Sequence, residues 1–199
     1  VAGPMAPLLL DLHRALTALQ AGELATMERA LERSEQRCRD LDAELHWHVE
    51  RFRALAHINQ GHATEGRSEL LKLHRRAQPR TSVGIALFRA YDRSVLLEPG
   101  QAHDACQLAL APHAYDAPNV WAMKVRALAA IGSTEEASIA LALMPVERLA
   151  DLPCDREFLG TFGALARAAL HLQAEPYARV AYERLAPFPQ YFAVNVSFL

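Results

Sequence analysis

The sequence predicts an all-α protein built of antiparallel helix pairs, and three observations support this fold class. Ala and Leu account for 67 of the 199 residues, whereas Val and Ile account for 14. Ala and Leu lose little side-chain freedom in a helix, while β-branched residues favour strands. Apolar residues recur at three- and four-residue steps, which is the helical period. Glycine and proline interrupt this pattern roughly every 12 to 20 residues, so short turns join the predicted helices.

The apolar pattern and its breaks place the helices in order along the chain. The predicted helices cover residues 8–20, 24–33, 41–59, 65–77, 82–97, 102–110, 118–131, 134–145, 156–172 and 176–185. Pro118 suits the first turn of its helix. Ser133 or Thr134 is expected to cap the next helix, whose first turn carries two glutamates that favour a helix N-terminus.

The turns inside the helix pairs recur at similar intervals. The turn residues are Gly22, Gly61, Gly100, Gly132 and Gln173, and the spacings between them are 39, 39, 32 and 41 residues. A period of this length is typical of helical hairpins that stack into a solenoid. An irregular helical bundle with ordinary glycine helix ends is the alternative.

The clearest repeat carries a large residue before its turn and a small residue after it. Trp121 lies eleven residues before Gly132 and Ala137 lies five residues after it, while Phe162 and Ala178 hold the same places around Gln173. These residues resemble the tetratricopeptide repeat. Gly66 and Arg179 depart from the strict pattern, and the periods exceed the usual length of about 34 residues. The resemblance implies a right-handed, tetratricopeptide-like solenoid of about five repeats over residues 1–187.

A second resemblance lies near the C-terminal end. The run from Leu165 to Ala169, followed by Tyr177-Ala178 and by the stretch from Tyr182 to Pro187, resembles the helical arrays of large bacterial signal-transduction ATPase regulators. Those proteins carry LuxR-type DNA-binding or nucleotide cyclase domains. The resemblance implies a sensor or scaffold segment of a cytoplasmic regulator. No phosphate-binding glycine loop occurs in this chain, so any ATPase module would lie outside it.

Composition excludes several classes of function. The net charge is −2, and a near-neutral chain lacks the positive field needed for direct nucleic-acid binding. No run of about 18 apolar residues occurs, so no membrane span is expected. The three cysteines, Cys38, Cys106 and Cys154, are widely spaced and fall in apolar patterns. They predict inert core residues in a reducing, cytoplasmic compartment.

Histidines form the main alternative to a binding module. His46, His48, His57 and His62 lie close together in the sequence and suggest an all-helical enzyme or a small-ligand or metal-binding domain. However, His46 and His48 diverge around a helix axis, whereas metal ligands must converge. We therefore predict no metal, no cofactor and no catalytic residues. A non-catalytic module that binds a protein or peptide partner is favoured.

In tetratricopeptide arrays, the first helix of each pair lines a concave groove. If this register holds, nine polar residues face the groove: His48, Arg51, Asn59, Ser94, Glu98, Asn119, Arg126, Arg167 and His171. Three of them are arginines, whose forked guanidinium suits carboxylates. The groove is therefore predicted to take an acidic peptide or a chain-terminal carboxylate. The alternative is that these arginines pair with neighbouring acids and bind nothing.

The last residues, 188–199, form an apolar tail without charge. Such a segment needs cover in water. We interpret it as the start of a further repeat or a segment that packs on the last helices. A homodimer formed through this tail is the second interpretation.

Overall fold

A computed structural model describes residues 5–38, 43–76, 92, 117–155 and 157–191. Over these ranges the regular elements are all α-helices and no strand occurs, which confirms the all-α prediction. The chain divides into two compact units, Val1–Ser82 and Val83–Ser197. The predicted helices at 82–97 and 102–110, and the turn at Gly100, lie outside the described residues.

The first unit contains two helical hairpins. Helices α1 (Met5–Gln20) and α2 (Leu24–Cys38) form one hairpin, and α3 (Ala43–Asn59) and α4 (Ala63–Arg76) form the other. Helix α3 packs on both helices of the first hairpin. Apolar side chains at helical spacing bury one side of each helix, and the fully or almost fully buried ones include Leu8, Leu12, Leu16, Met27, Leu31, Val49, Phe52 and Leu70.

The second unit repeats the hairpin arrangement with one addition. Helices α5 (Pro118–Ala130) and α6 (Thr134–Ala142) form a hairpin, as do α8 (Phe158–His171) and α9 (Glu175–Leu185). The short helix α7 (Val146–Ala150) lies between the hairpins in sequence and contacts α9. The two first helices, α5 and α8, pack directly against each other. One apolar core joins all five helices.

The four described hairpin turns share one backbone geometry. Gly22, Gly61, Gly132 and Gln173 have positive φ angles of 74°, 90°, 81° and 53°. At each turn, the N–H of this residue donates to the carbonyl three residues earlier, and the next N–H donates to the carbonyl five residues before it. This is the Schellman arrangement that ends a helix with a left-handed residue. The predicted turn positions are therefore confirmed at these four sites.

The predicted large and small positions lie at the crossings within the hairpins. Trp121 is buried, and its indole N–H donates to the carbonyl of Ala140 at 2.7 Å. Ala137 is fully buried beside it in the core. Gly66 meets the same need in the first unit, because a Cβ there would lie 2.5 Å from the carbonyl oxygen of Ala54. This departure from the repeat pattern therefore allows α3 and α4 to approach closely.

In the last hairpin, Phe162 is fully buried as expected. Ala178 is only partly buried, and Ala181, three residues later, is fully buried instead. Helix α9 is therefore rotated relative to the position that the repeat pattern predicts.

Three local predictions differ from the structure. The pattern did not predict α7, which begins after Pro145. Ser133 holds the N-cap position of α6, but its side chain makes no capping hydrogen bond. Cys154, predicted to be buried in a helix, is exposed in the segment between α7 and α8. Its local sequence contains Pro153, which cannot donate the helical hydrogen bond.

A buried carboxylate joins the first two helices. Asp11 on α1 has no exposed surface. Its Oδ1 accepts from Nε of Arg33 at 3.1 Å and from Nη1 of Arg14 at 3.5 Å, and its Oδ2 contacts Arg37. Because Arg33 and Arg37 belong to α2, this cluster fixes the crossing of α1 and α2. Burial of a carboxylate requires such charged partners.

Helix α9 carries a tyrosine with a shifted proton affinity. Burial raises the pKa of the Tyr177 hydroxyl, and the Glu147 carboxylate on α7 raises it further.

The apolar tail begins just after α9, where the Phe188 ring lies 5.5 Å from that of Phe158. Residues 192–199 of the tail lie outside the described residues, and the boundary at 187 stays a prediction. None of the described helices has the length and apolar character that a membrane crossing requires.

Candidate functional site

The face formed by α5 and α8 carries three of the predicted groove residues together. Trp121, Val125 and Leu128 fill the core side of α5, so the helical period turns Arg126 away from the core. Nη1 of Arg126 lies 2.8 Å from Nδ1 of His171, the last residue of α8. A guanidinium can only donate, so Nδ1 accepts and the imidazole proton lies on Nε2.

Arg167 lies one turn before His171 on the same face of α8. Its side chain is exposed, and it makes no hydrogen bond or ion pair with any residue in the described ranges. Arg126 is half-buried and His171 is exposed. We call Arg126, Arg167 and His171 the basic triad. It offers one guanidinium that contacts the imidazole, one exposed guanidinium and the imidazole itself on two packed helices.

A small pocket lies at the opposite end of the same two helices. Its volume is about 130 Å³, and it lies between the starts of α5 and α8. The residues that line it are Pro118, Asn119, Leu152, Pro153, Asp155, Glu157, Phe158, Thr161 and Phe162. Because both N-terminal ends border this pocket and both C-terminal halves meet at the basic triad, α5 and α8 run parallel.

Asn119, also predicted to face the groove, lines this pocket and is buried. It lies seven residues before Arg126, and therefore on the same face of α5. The α5/α8 face thus brings together four predicted residues: Asn119, Arg126, Arg167 and His171.

The predicted groove residues of the first unit are placed differently. His48 and Arg51 on α3 have exposures of 6% and 1%, so they leave almost no surface for a partner. Asn59, at the end of α3, is exposed. A helical period predicts which side of a helix a residue occupies, but it does not predict how deeply neighbouring elements cover that side. Ser94 and Glu98 lie outside the described residues.

Glu50, an acid near the predicted groove residues of α3, contacts two other basic side chains. Glu50 contacts Nε2 of His46 at 3.5 Å and Nη1 of Arg76 at 3.7 Å. Arg53, which was not among the predicted residues, pairs with Glu28 and Glu35 on α2 at 3.5 and 3.1 Å. The pairs with Arg76, Glu28 and Glu35 hold α3 against its neighbours.

Of the histidines on α3 and the following turn, His57 and His62 lie near each other, with 6.5 Å between their ring centroids. His57 contacts Glu69 at 2.9 Å and His62 contacts Glu65 at 3.1 Å. His48 packs against the ring of Trp47, at 5.2 Å between centroids. Among the described residues, no group of three or more His, Cys, Asp or Glu side chains is arranged to hold a metal ion.

The pocket residues Asp155, Glu157 and Thr161 were not among the predicted site residues. Each lies near the start of the first helix of a hairpin, where the apolar pattern does not predict how deeply a side chain is buried. Asn119, at the start of the other first helix, is the residue that could have indicated this end of the face.

Comparison of the chain with protein-family models, with curated proteins and with solved structures finds no match.

Proposed function

We propose that the chain is a non-catalytic binding module and that its α5/α8 face holds an acidic peptide segment or a chain-terminal carboxylate. The contact between Arg126 and His171, with Arg167 beside it, is the observation that carries this proposal. Guanidinium groups form forked, charge-assisted hydrogen bonds with carboxylates. Helix-mounted side chains hold such donors in place before the ligand arrives.

The hairpin geometry supports a tetratricopeptide-like interpretation. Four hairpins end their first helix with the same left-handed turn, and the first helices α5 and α8 pack side by side. In the repeat family that the sequence resembles, the first helices form the binding face. The right-handed solenoid of about five repeats, and the origin of the chain in a cytoplasmic bacterial regulator, are part of this proposal.

A model ligand tests the proposal without knowledge of the natural partner. Fluorescein-labelled octaglutamate serves as the acidic probe, and labelled octaglutamine is the neutral control. We expect saturable fluorescence anisotropy with octaglutamate, weakened by increased salt because exposed ion pairs are screened. Equal binding of octaglutamine would contradict the proposal.

Matched variants locate the binding. Replacement of Arg126 and Arg167 together by glutamine is expected to weaken octaglutamate binding at least tenfold. Arg179→Gln is the control, because Arg179 is an exposed arginine on α9 that pairs with Glu175 at 2.7 Å; its effect should stay within twofold. An unchanged affinity in the double variant would refute the assignment of the face. Arg51→Ala is unsuitable as a binding test, since Arg51 is buried.

A further inference from the structure

We infer that the three arginines around Asp11 in the first unit form a phosphate site and that its ligand is a soluble phosphate monoester. Arg14, Arg33 and Arg37 are called the arginine cluster below. The cluster lies on α1 and α2, so it is separate from the peptide face proposed on α5 and α8. Neither assignment depends on the other.

The guanidinium groups of the cluster converge on one carboxylate. Nη1 of Arg14 and Nε of Arg33 lie 3.5 and 3.1 Å from Oδ1 of Asp11, so these two nitrogens are at most 6.6 Å apart, the sum of the two distances. Arg37 contacts Oδ2 of the same carboxylate. Charge-assisted N–H bonds to a phosphate are about 2.8 Å long. One phosphate group can therefore contact guanidinium groups from both helices.

The cluster carries an excess of positive charge. Three guanidinium groups and one carboxylate give a net charge of +2. Within the described ranges, none of the three arginines contacts a second carboxylate. Glu28 and Glu35 of α2 pair with Arg53 on α3 instead, and Glu32 is exposed. An anion with two negative charges would neutralise the cluster.

Each arginine of the cluster keeps donors that the described part of the protein does not use. A guanidinium has five N–H donors. Arg14 donates to Asp11 through Nη1, and Arg33 donates to it through Nε. Arg37 donates through Nη1 to Asp11 and to the carbonyl of Pro7. The three side chains are 43–56% exposed, so their remaining donors are open to a ligand from solvent.

Asp11 holds the arginine cluster in place before a ligand arrives. Its carboxylate has no exposed surface, so a ligand contacts the guanidinium groups from their outer side and leaves their contacts with Asp11 intact. A long side chain loses rotamer entropy when it binds, and the ionic contacts already restrict these three side chains. Asp11 is therefore a positioning residue of the site.

The chemistry of the cluster favours a phosphate over a carboxylate. A phosphate monoester carries close to two negative charges at neutral pH and offers three acceptor oxygens. A carboxylate carries one charge and offers two oxygens. Forked guanidinium donors from three directions, with a net charge of +2, match the phosphate better.

An exposed leucine borders the cluster and favours an ester with an organic group. Leu10 is 50% exposed and lies one turn before Arg14 on the same face of α1. It can contact the organic group of a ligand whose phosphate binds the arginines. Helices that lie on a membrane present a broad apolar face, whereas Leu10 is the exposed large apolar side chain among the described ones of α1 and α2. A soluble ester therefore fits better than a lipid headgroup.

Three aryl probes test the class of ligand. In an NMR titration of the ¹⁵N-labelled protein at pH 7, phenyl phosphate should give saturable shifts of the arginine Nε–H signals of the cluster. Phenyl sulfate has three terminal oxygens but one charge, so it should bind at least fivefold more weakly, and benzoate more weakly still. Arg126→Gln with Arg167→Gln should leave the shifts at the cluster unchanged. No saturable shift, or equal binding of the three probes, would overturn the phosphate site.

Two double variants with the same change of charge locate the binding. Arg14→Gln with Arg37→Gln leaves Arg33 as the partner of the buried carboxylate at 3.1 Å, and phenyl phosphate binding should fall at least tenfold. Arg67→Gln with Arg75→Gln removes two exposed arginines of α4, and its effect should stay within twofold. Arg14→Gln alone should weaken binding at least threefold. Equal losses in the two double variants would overturn the site.

Asp11→Asn separates positioning from charge. The variant raises the net charge of the cluster from +2 to +3, so charge alone would make phenyl phosphate bind more tightly. If Asp11 positions the guanidinium groups, binding should instead weaken at least threefold in the folded variant, whose folding is checked by circular dichroism. Tighter binding in Asp11→Asn would overturn the positioning role of Asp11.

Vesicles distinguish a soluble ester from a lipid. Phosphatidylcholine vesicles that contain phosphatidic acid present a phosphate monoester on a membrane surface, and phosphatidylcholine vesicles alone are the control. We expect phenyl phosphate to bind while neither kind of vesicle carries the protein into the pellet on sedimentation. Sedimentation with the phosphatidic acid vesicles that is lost in Arg14→Gln with Arg37→Gln would overturn the soluble ligand and assign the site to a lipid headgroup.

Discussion

Substitutions at two turn residues of the second unit, Gly132→Ala and Gln173→Gly, should change the free energy of unfolding in opposite directions. Gly132 has φ of 81°, and a Cβ added there would meet no atom within 4 Å. An alanine at this position therefore suffers only the backbone strain of the left-handed conformation, about 1–2 kcal/mol. Alanine also lowers the conformational entropy of the unfolded chain, which stabilises the folded protein by about 0.4–1 kcal/mol. The net effect of Gly132→Ala should therefore be a destabilisation of about 1 kcal/mol.

Gln173 has the same kind of conformation, with φ of 53°, but carries an exposed side chain. Gln173→Gly removes the strain and loses little contact, so we expect stabilisation by about 0.5 kcal/mol after the entropy of glycine is included. Urea unfolding followed by circular dichroism measures both changes, and the melting temperatures should move by roughly 4 °C and 2 °C in opposite directions.

A third glycine provides the control for crowding. Gly66 lies inside α4, where a Cβ would approach the carbonyl oxygen of Ala54 to 2.5 Å. Gly66→Ala should therefore cost about 3 kcal/mol through overpacking, clearly more than Gly132→Ala. A neutral Gly132→Ala together with a destabilising Gln173→Gly would refute the left-handed turn geometry.

Three further predictions concern buried polar groups. Asp11→Ala should destabilise the first unit by about 2–3 kcal/mol in urea unfolding, because Arg33 loses its buried partner but remains partly hydrated; a change below about 0.5 kcal/mol would contradict the ionic cluster. Trp121→Phe should cost about 2 kcal/mol, since it removes the indole hydrogen bond to the Ala140 carbonyl and reduces packing; an unchanged urea midpoint would count against that hydrogen bond. Burial raises the pKa of the Tyr177 hydroxyl in the folded protein, so the unfolded chain loses the hydroxyl proton at a lower pH. The contribution of this group to the free energy of unfolding is therefore complete below about pH 10 and is lost as the pH rises further. Tyr177→Phe should therefore lessen the fall in melting temperature between pH 9.5 and 11, and an identical fall in both proteins would contradict the shift.

Within the described residues, the sequence was sufficient to predict eight helices and four hairpin turns because local chemistry determines both. Glycine tolerates a positive φ, so Gly22, Gly61 and Gly132 could be recognised as turn residues from the breaks in the apolar pattern. Gln173 was found by spacing alone, although its type gives no such signal. The short α7 escaped because its five residues, Val146–Ala150, are too few to show a helical period.

The site was only partly predictable because depth depends on tertiary packing. Periodicity placed Arg126 and His171 on neighbouring faces, and the structure brings them into contact. The same reasoning placed Arg51 in the groove, where packing of the first unit buries it. Asp11 interrupts the apolar stripe between Leu8 and Leu12, and this charged residue could have indicated a buried ion pair with α2.

An NMR titration with octaglutamate tests the central claim most directly. The ¹⁵N-labelled protein would be titrated with the peptide while backbone amides and arginine side chains are followed. The account predicts that the largest shifts fall at Arg126, Arg167 and His171 on the α5/α8 face, with little change at Arg179 on α9. Shifts centred on α3 and α4, or spread evenly over all exposed arginines, would contradict it.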